Sequence, residues 1–490
     1  VTAQAEHERA VVDAVPAGLY IAGDWRPAAS GDVFEVEDPS VARPLRTVAD
    51  AGTDDALDAL TAAHEAQESW AARPPRERGE ILRRSYELIR ERIDDLALLM
   101  TLEMGKPLAE ARGEVAYAAE FFRWFAEEAV RIDGGYATSP DGKDRLLVMR
   151  RPVGPALLVT PWNFPLAMGT RKIGPAVAAG CTMIVKPAEQ TPLSMLALAG
   201  IMAEAGLPGG VLNVVTSSRP GDVVEPLLRD GRLRKLSFTG STAVGRLLIA
   251  QSAEQVLRVS LELGGNAPFI VCEDADLDAA VEGAVQAKMR NIGEACTAAN
   301  RLYVHESVAP EFTRRLAERM GAMAVGRGTE PGVEVGPLID EDGRGKVGRL
   351  VGQALDAGAK ALTGGEPAPG DGYFYAPTVL VDVPADAPML HEEIFGPVAP
   401  VVSFSDEDEA VAAANATPYG LVSYLYTESL RRAFRISERL DTGMIGLNKG
   451  VVSNPAAPFG GVKQSGLGRE GGRAGIEEFL ETRYLAMPAS

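Results

Sequence analysis

The apolar and polar positions change rhythm along the chain. Up to about Gly52 the sequence is turn-rich, with Gly23-Asp24 and Asp38-Pro39 between short alternating segments. Residues 54–128 are long-patterned, charged and periodic, which predicts helices, broken at Pro74-Pro75 and at Gly105-Lys106-Pro107. Residues 133–149 read as a turn with a pair of strands. Then the period shortens. Residues 153–160, 182–185 and 234–238 are brief apolar or β-branched runs, each leading into a helix-like stretch, the last over about 243–253. A second block of this kind starts at 267–271 and runs to about Asn448, and from Pro458 the chain is glycine-rich and then charged. Short apolar strands alternating with helices are the mark of parallel sheets. Two α/β domains with a small arm are expected.

Length agrees with that division, since 490 residues correspond to two or three domains at roughly 100–200 residues each. Composition changes the picture mainly through charge. With 49 basic and 68 acidic residues the net charge is −19, which disfavours nucleic acid and anionic membrane surfaces as partners. A small anion is not disfavoured, because a local arginine pair outweighs distant charge screened beyond a Debye length. The three cysteines, Cys181, Cys272 and Cys296, make no disulfide framework, and with only four histidines there is no spacing for a metal site. The opening residues 1–10 are polar and give no sign of a secretory leader, and the best apolar run, 176–185, has ten residues, short of a bilayer span of about 20. A soluble, cytoplasmic, metal-free protein is the expectation.

Two Gly-x-Gly-x-x-Gly matches, Gly343–Gly348 and Gly466–Gly471, are rejected as dinucleotide fingerprints. The pattern needs a strand before it and a helix after it within one βαβ unit. The first follows Asp340-Glu341-Asp342, and the second leaves too little chain. A better phosphate site lacks the pattern: the strand Leu236-Ser237-Phe238 runs into Thr239-Gly240-Ser241-Thr242-Ala243-Val244-Gly245 and then a helix. Gly240 permits a sharp turn, Ser241 or Thr242 can cap the helix, and the free N–H groups face an anion. An ordinary strand-to-helix turn has the same appearance. Lys186 and Glu189 follow another strand. A carboxylate there suits the hydroxyls of an adenosine ribose and repels a 2′-phosphate, favouring NAD over NADP; a surface ion pair is the plainer alternative.

Cys296 lies in the small, polar segment Asn291-Ile292-Gly293-Glu294-Ala295-Cys296-Thr297, whereas Cys181 and Cys272 sit in apolar runs and read as core residues. A nucleophilic thiol needs a proton acceptor. Glu262, between two leucines and just before Gly264-Gly265, is the candidate, since burial would raise its pKa towards that of a general base.

Taken together, these segments resemble the NAD(P)-dependent aldehyde dehydrogenase superfamily over nearly the whole chain. The carrying motifs are Pro161-Trp162-Asn163-Phe164-Pro165, Lys186-Pro187-Ala188-Glu189, Phe238-Thr239-Gly240-Ser241-Thr242, Glu262-Leu263-Gly264-Gly265-Asn266, the Cys296 segment and Glu392-Glu393-Ile394-Phe395-Gly396-Pro397. The resemblance implies a Rossmann-like cofactor domain (residues 1–133 and 151–262), an α/β catalytic domain (263–460) and a small β oligomerisation arm (134–150 and 470–490), with assembly into a homodimer or homotetramer. It implies that Cys296 attacks the aldehyde, that Asn163 with the Cys296 N–H stabilises the oxyanion, and that Glu262 activates water. It implies further that Trp162, Lys186, Glu189, Gly240, Ser241, Gly245, Glu393 and Phe395 hold the cofactor. One departure stands out: Glu294 replaces a glutamine common two residues before the family's cysteine, and its charge would raise the thiol pKa unless it points away.

Within the superfamily the chain looks most like the succinate-semialdehyde dehydrogenases, on Thr170-Arg171-Lys172, Lys288-Met289-Arg290-Asn291 and the stretch from Ser453 to Gly466. That likeness implies that Arg171, Arg290 and Ser453 bind a distal carboxylate, for which a guanidinium fork is well shaped. The opposing reading is that each arginine pairs with an internal acid. Some members carry a second cysteine two residues after the nucleophile; here that position is Ala298. Glutarate semialdehyde or another ω-carboxy aldehyde, a coenzyme A-acylating relative and a non-catalytic binding protein stay open as alternatives.

Overall fold

A computed structural model describes residues 3–489. Val1, Thr2 and Ser490, at the ends of the expected cofactor domain and arm, lie outside the described residues.

The first sheet is built on five parallel strands: β1 (Ala156–Val159), β2 (Met183–Lys186), β3 (Leu212–Val214), β4 (Lys235–Thr239) and β5 (Arg258–Glu262). Their spatial order is β5-β4-β1-β2-β3, with antiparallel Gly466–Leu467 beyond β5 and Leu19–Ile21 and Asp24–Arg26 beyond β3. The order reverses direction between β1 and β4, so the chain leaves these neighbours towards opposite sides and opens a crevice at their carboxyl ends. β4 is buried at every position, as expected of a strand covered on both faces.

The second sheet follows in chain order: β6 (Ala267–Val271), β7 (Ala299–His305), β8 (Lys360–Thr363), β9 (Thr378–Val381), β10 (Val398–Phe404), β11 (Val422–Tyr426) and β12 (Met444–Leu447). It is ordered β8-β9-β10-β7-β6-β11-β12 and parallel throughout except for the edge strand β8. Each sheet has its own buried cluster, one around Phe121, Phe122 and Phe125 and the other around Phe269, Tyr424 and Tyr426.

The helical stretch divides into Thr53–Ala71, Pro75–Glu91, Ile93–Met104 and Leu108–Glu128. Pro75 starts its helix, where its missing N–H costs nothing, and Gly105 closes another with φ 94°. A further helix, Ala3–Asp13, occupies the stretch read as turns. Its sequence is mostly polar; Val12 supplies apolar contact, and Glu8 is fixed by an ion pair of 3.0 Å to Arg327.

A third sheet joins Gly135–Thr138, Asp144–Pro152 and Leu480–Pro488, all antiparallel, with the last two paired over nine residues. Residues 470–479 do not share its exposed character. Glu470, Ile476 and Phe479 are buried against the core, so the C-terminal strand departs only from Leu480.

Candidate active site

A cavity of about 380 Å³ opens where the carboxyl ends of the first sheet's strands meet the second sheet's loops. Trp162, Asn163, Arg171, Gly240, Ser241, Glu262, Arg290, Cys296, Glu393, Phe395 and Ser453 all line it. Three strand ends bring them there: β1 leads into Pro161-Trp162-Asn163, β4 into Gly240-Ser241, and β5 ends on Glu262 itself. The Gly240 N–H donates to the Glu262 carbonyl at 3.1 Å and ties the last two together.

Asn163 is held on three sides. Its Nδ2 donates to the Glu294 carbonyl at 2.9 Å, its Oδ1 accepts from the Phe164 N–H at 3.1 Å, and its carbonyl accepts from Lys106 Nζ at 2.8 Å. Lys106 is fully buried and paired with Glu114, whose other oxygen accepts the Leu166 and Ala167 N–H groups at the start of the helix Ala167–Ala179. With one amide hydrogen engaged, the other is left free to face the cavity.

The segment before Cys296 is bent by three successive left-handed residues, Asn291 (φ 54°), Ile292 (φ 63°) and Gly293 (φ 80°). The bend is secured by Glu110 Oε2, which accepts the Asn291 N–H at 2.6 Å, and by Asn291 Nδ2, which shares the Glu294 carbonyl at 2.9 Å. Burial pushes the Cys296 thiol up to about 12; Arg171 and Arg290 oppose the rise while Glu393 and Glu262 add to it. Burial also lifts Glu262 well above the usual carboxylate range, reinforced by Glu470 and opposed by Arg171, Lys172 and Arg469. One Glu262 oxygen has no hydrogen-bond partner among the described residues. The side chain of Glu294 is engaged by the backbone: its Oε1 accepts the Ile339 N–H at 3.1 Å, and burial raises its pKa well above the usual carboxylate range.

On the cofactor side a Cβ at Gly240 would come within 2.5 Å of the Phe238 ring, so backbone alone fits there. Ser241 caps the helix Thr242–Ser252 by accepting the Val244 N–H at 3.3 Å, leaving the helix N-terminus at the cavity. Glu393 accepts the Gly265 N–H at 3.2 Å and is raised to about 7 by burial. Trp162 and Phe395 meet edge to face with centroids 5.4 Å apart. A helix N-terminus for a pyrophosphate, a carboxylate for a ribose and an aromatic corner together fit a dinucleotide. Three expected cofactor residues stand outside this cavity. Lys186 is buried and pairs at 3.1 Å with Glu189, which borders a neighbouring cleft with Ser218 and Asp340. Gly245 lies under Leu263, where a Cβ would collide, and so serves close packing of helix on loop.

In the same cavity Arg290 lies against Tyr117 and Phe164, Arg171 lies against Met168 and Phe459, and Ser453 completes the lining. Arg290 donates to Ser453 Oγ at 3.4 Å and lies 4.9 Å over the Phe164 ring. Arg171 departs from the expected free arginine pair. Its Nη2 stands 2.8 Å from Glu470 Oε2, although out of hydrogen-bonding alignment, and Glu470 Oε1 accepts from Lys172 at 2.5 Å. Burial alone would raise Glu470, but Lys172 and Arg171 outweigh it and hold the carboxylate charged. The internal-acid reading therefore describes Arg171, whose charge is already compensated, and not Arg290.

Several lining residues went unread in the sequence, among them Tyr117, Phe459, Lys346 and Gly343. Gly343 belongs to a rejected glycine pattern, and the structure places it in the helix Glu341–Asp356, capped by Asp340, with no strand before it. The segment reaches the cavity as a helix end from the second sheet's side.

The aldehyde dehydrogenase family model matches residues 25–485. The chain belongs to the aldehyde dehydrogenase family. A succinate-semialdehyde dehydrogenase of Paenarthrobacter nicotinovorans is 61% identical over 443 residues, covering 90% of this chain and 98% of its own. An NADP(+) succinate-semialdehyde dehydrogenase of Escherichia coli is 50% identical, with 95% and 97% covered. A glutarate-semialdehyde dehydrogenase of Pseudomonas putida is also 50% identical, with 96% and 97% covered. Among solved structures, a succinate-semialdehyde dehydrogenase from Burkholderia pseudomallei superposes with TM-score 0.95 at 49% identity, covering 96% and 98%. An NAD+ complex of an aldehyde dehydrogenase from Bacillus cereus reaches 0.96 at 35% identity, covering 100% and 99%. The enzyme's cofactor is thus a pyridine nucleotide. No helix among the described residues is long and apolar enough to cross a membrane.

Proposed function

We propose that the enzyme oxidises succinate semialdehyde to succinate and prefers NAD to NADP. The observation that carries the substrate reading is the meeting of Arg290 and Ser453 in the lining of the same cavity as Cys296. Among the described residues no acid forms an ion pair with Arg290 within 4 Å, although Glu110 feels its charge, and such a guanidinium is a ready partner for a carboxylate. The relatives named for succinate semialdehyde support the same reading.

In this mechanism the Cys296 thiol loses its proton to Glu262 and its sulfur attacks the aldehyde carbon. The oxygen that becomes negative is met by the free amide hydrogen of Asn163 and by the Cys296 N–H. A nicotinamide held by Trp162, Glu393 and Phe395 would supply the hydride acceptor that turns the thiohemiacetal on Cys296 into a thioester. Glu262 releases the thiol proton to solvent, takes a second proton from water as that water attacks the thioester, and hands it to the departing sulfur, freeing the acid and the thiol. Arg290, Ser453 and, at one remove, Arg171 orient the distal carboxylate so that the aldehyde end reaches the sulfur.

For the nucleotide, Glu189 beyond the end of β2 favours the ribose hydroxyls of NAD and repels a 2′-phosphate. The NADP(+) named for the Escherichia coli relative makes the ratio of kcat/KM values the deciding measurement; equal values would overturn the preference. For the aldehyde, a kcat/KM panel of succinate semialdehyde, glutarate semialdehyde and butanal tests the assignment. Succinate semialdehyde is expected first, and a butanal value equal to it would sink the carboxylate reading. Glutarate semialdehyde is the second reading, supported by the 50% identical relative, because one methylene separates the two by only about 1–3 kcal/mol.

A further inference from the structure

Tyr117 takes no part in the chemistry assigned above, yet it lines the cavity beside Arg171, Arg290 and Ser453. It projects from the helix Leu108–Glu128. Its ring meets Phe121 edge to face at 4.9 Å, and Arg290 stands 5.9 Å from its centroid. Phe121 in turn lies 5.7 Å from Arg171, which is stacked 4.0 Å over Phe459 on its other side. The close ring contacts of Tyr117 are therefore Phe121 and the Arg290 guanidinium, neither of which offers an oxygen to accept from the hydroxyl. The hydroxyl oxygen is buried and has no hydrogen-bond partner among the described residues. Phenylalanine would serve packing equally well, and a buried hydroxyl without a partner is costly. A tyrosine here makes physical sense if its partner arrives with the substrate.

We propose that the Tyr117 hydroxyl is a third donor to the substrate's distal carboxylate, completing with Arg290 and Ser453 a site that selects ω-carboxy aldehydes. The inference rests on the carboxylate reading of the preceding subsection and deepens it. A carboxylate offers about four acceptor positions on its two oxygens. Arg290 fills one or two, the Ser453 hydroxyl donates to another, and the phenol supplies a donor from the remaining side. Arg171, its charge already met by Glu470, stays with its own partner. A neutral aldehyde entering the same cavity would strand the phenol and Arg290 together, so the group also acts against uncharged chains of similar length.

The test is Tyr117→Phe, which deletes only the hydroxyl. With saturating cofactor, KM for succinate semialdehyde is expected to rise roughly 10–100-fold, as for loss of a hydrogen bond to a charged group, with kcat changed by less than about twofold. KM for butanal is expected to stay within about twofold. Inhibition by succinate, which presents the same carboxylate without a reactive carbonyl, is expected to weaken by the same factor as KM. Unchanged KM for both aldehydes, or an equal rise for both, would overturn the proposal. The wild-type comparison separates the two layers: if the wild type does not discriminate between succinate semialdehyde and butanal, the carboxylate reading falls and takes Tyr117 with it. If it does discriminate and Tyr117→Phe keeps the discrimination, only the role of Tyr117 falls.

Discussion

At Cys296 burial works against both charges that the proposed reaction needs. It raises the thiol to about 12 and Glu262 well above the usual carboxylate range. The two groups face one cavity, and the proton that leaves sulfur has a carboxylate to receive it only in the fraction of enzyme in which Glu262 is ionised. Glu262→Gln removes the acceptor but preserves shape. Because Glu262 serves both steps, stopped-flow absorbance is expected to show the rapid first equivalent of NADH slowed together with steady-state turnover, the latter roughly 10²–10⁴-fold. A first equivalent formed at the wild-type rate would show that Glu262 acts only in thioester hydrolysis and that the thiol proton leaves by another route. Glu393 gives a stability test. Its folded-state pKa of about 7 exceeds the ordinary 4.5, so the folded protein binds that proton more tightly than the unfolded chain. The contribution is complete below 4.5 and is lost as pH rises through about 7. Glu393→Gln should therefore gain in Tm relative to wild type on going from pH 4.5 to pH 8 in scanning calorimetry; a pH-independent difference would show that solvent in the cavity keeps the group hydrated. The places of Cys296 and Glu262 in the cavity were legible because a small, polar segment and an isolated charge interrupt apolar runs there, and that of Asn163 through the resemblance carried by Pro161–Pro165. The state of Arg171 was not legible, because Glu470 is remote in the chain and only the fold brings them together.

The element that aims Cys296 is the bend at Asn291–Gly293. An isoleucine with φ 63° is unfavourable for a β-branched residue, and the strain is carried by buried contacts around it. Gly293 is the tightest point: with φ 80° its added Cβ would run into the Gly396 carbonyl, next to the Phe395 that faces Trp162. Gly293→Ala is expected to cost roughly 1–3 kcal/mol, measured by chemical denaturation, and to lower kcat more than it raises KM for the cofactor. The helices of residues 53–128 were legible from periodicity and proline breaks, and the Ser241 cap from its turn chemistry. The helix Ala3–Asp13 was not, since most of its residues are polar and its place is set by Val12 and Glu8 meeting distant partners. Nor does any proline or glycine announce the break at Arg92.

At the scale of the molecule, the site lies between two parallel sheets and neither alone contains it: Asn163 and Glu262 come from the first, Cys296 and Glu393 from the second. Alternation of strands and helices made both sheets legible, while the strand order and the crevice follow from pairings no local pattern encodes. The three-stranded arm leaves Tyr136, Tyr484 and Leu485 exposed at 66%, 58% and 43%. Exposed apolar side chains grouped on one sheet favour burial against another surface. If copies of the chain meet there, Tyr484→Glu combined with Leu485→Glu is expected to lower the mass in light scattering relative to wild type; an unchanged mass would show that this sheet joins no copies.

Glu470 binds these scales together. Its carboxylate neutralises Lys172 from 298 positions downstream, and Arg171 beside it. Closing so long a loop is slow compared with local contacts, because its entropy is spent before the contact repays it. A folding chain can thus form both sheets, and even gather Cys296 and Glu262, while two buried cations still wait for their counter-ion. Native secondary structure should return before activity does on dilution from denaturant, and the lag between them measures the arrival of one carboxylate.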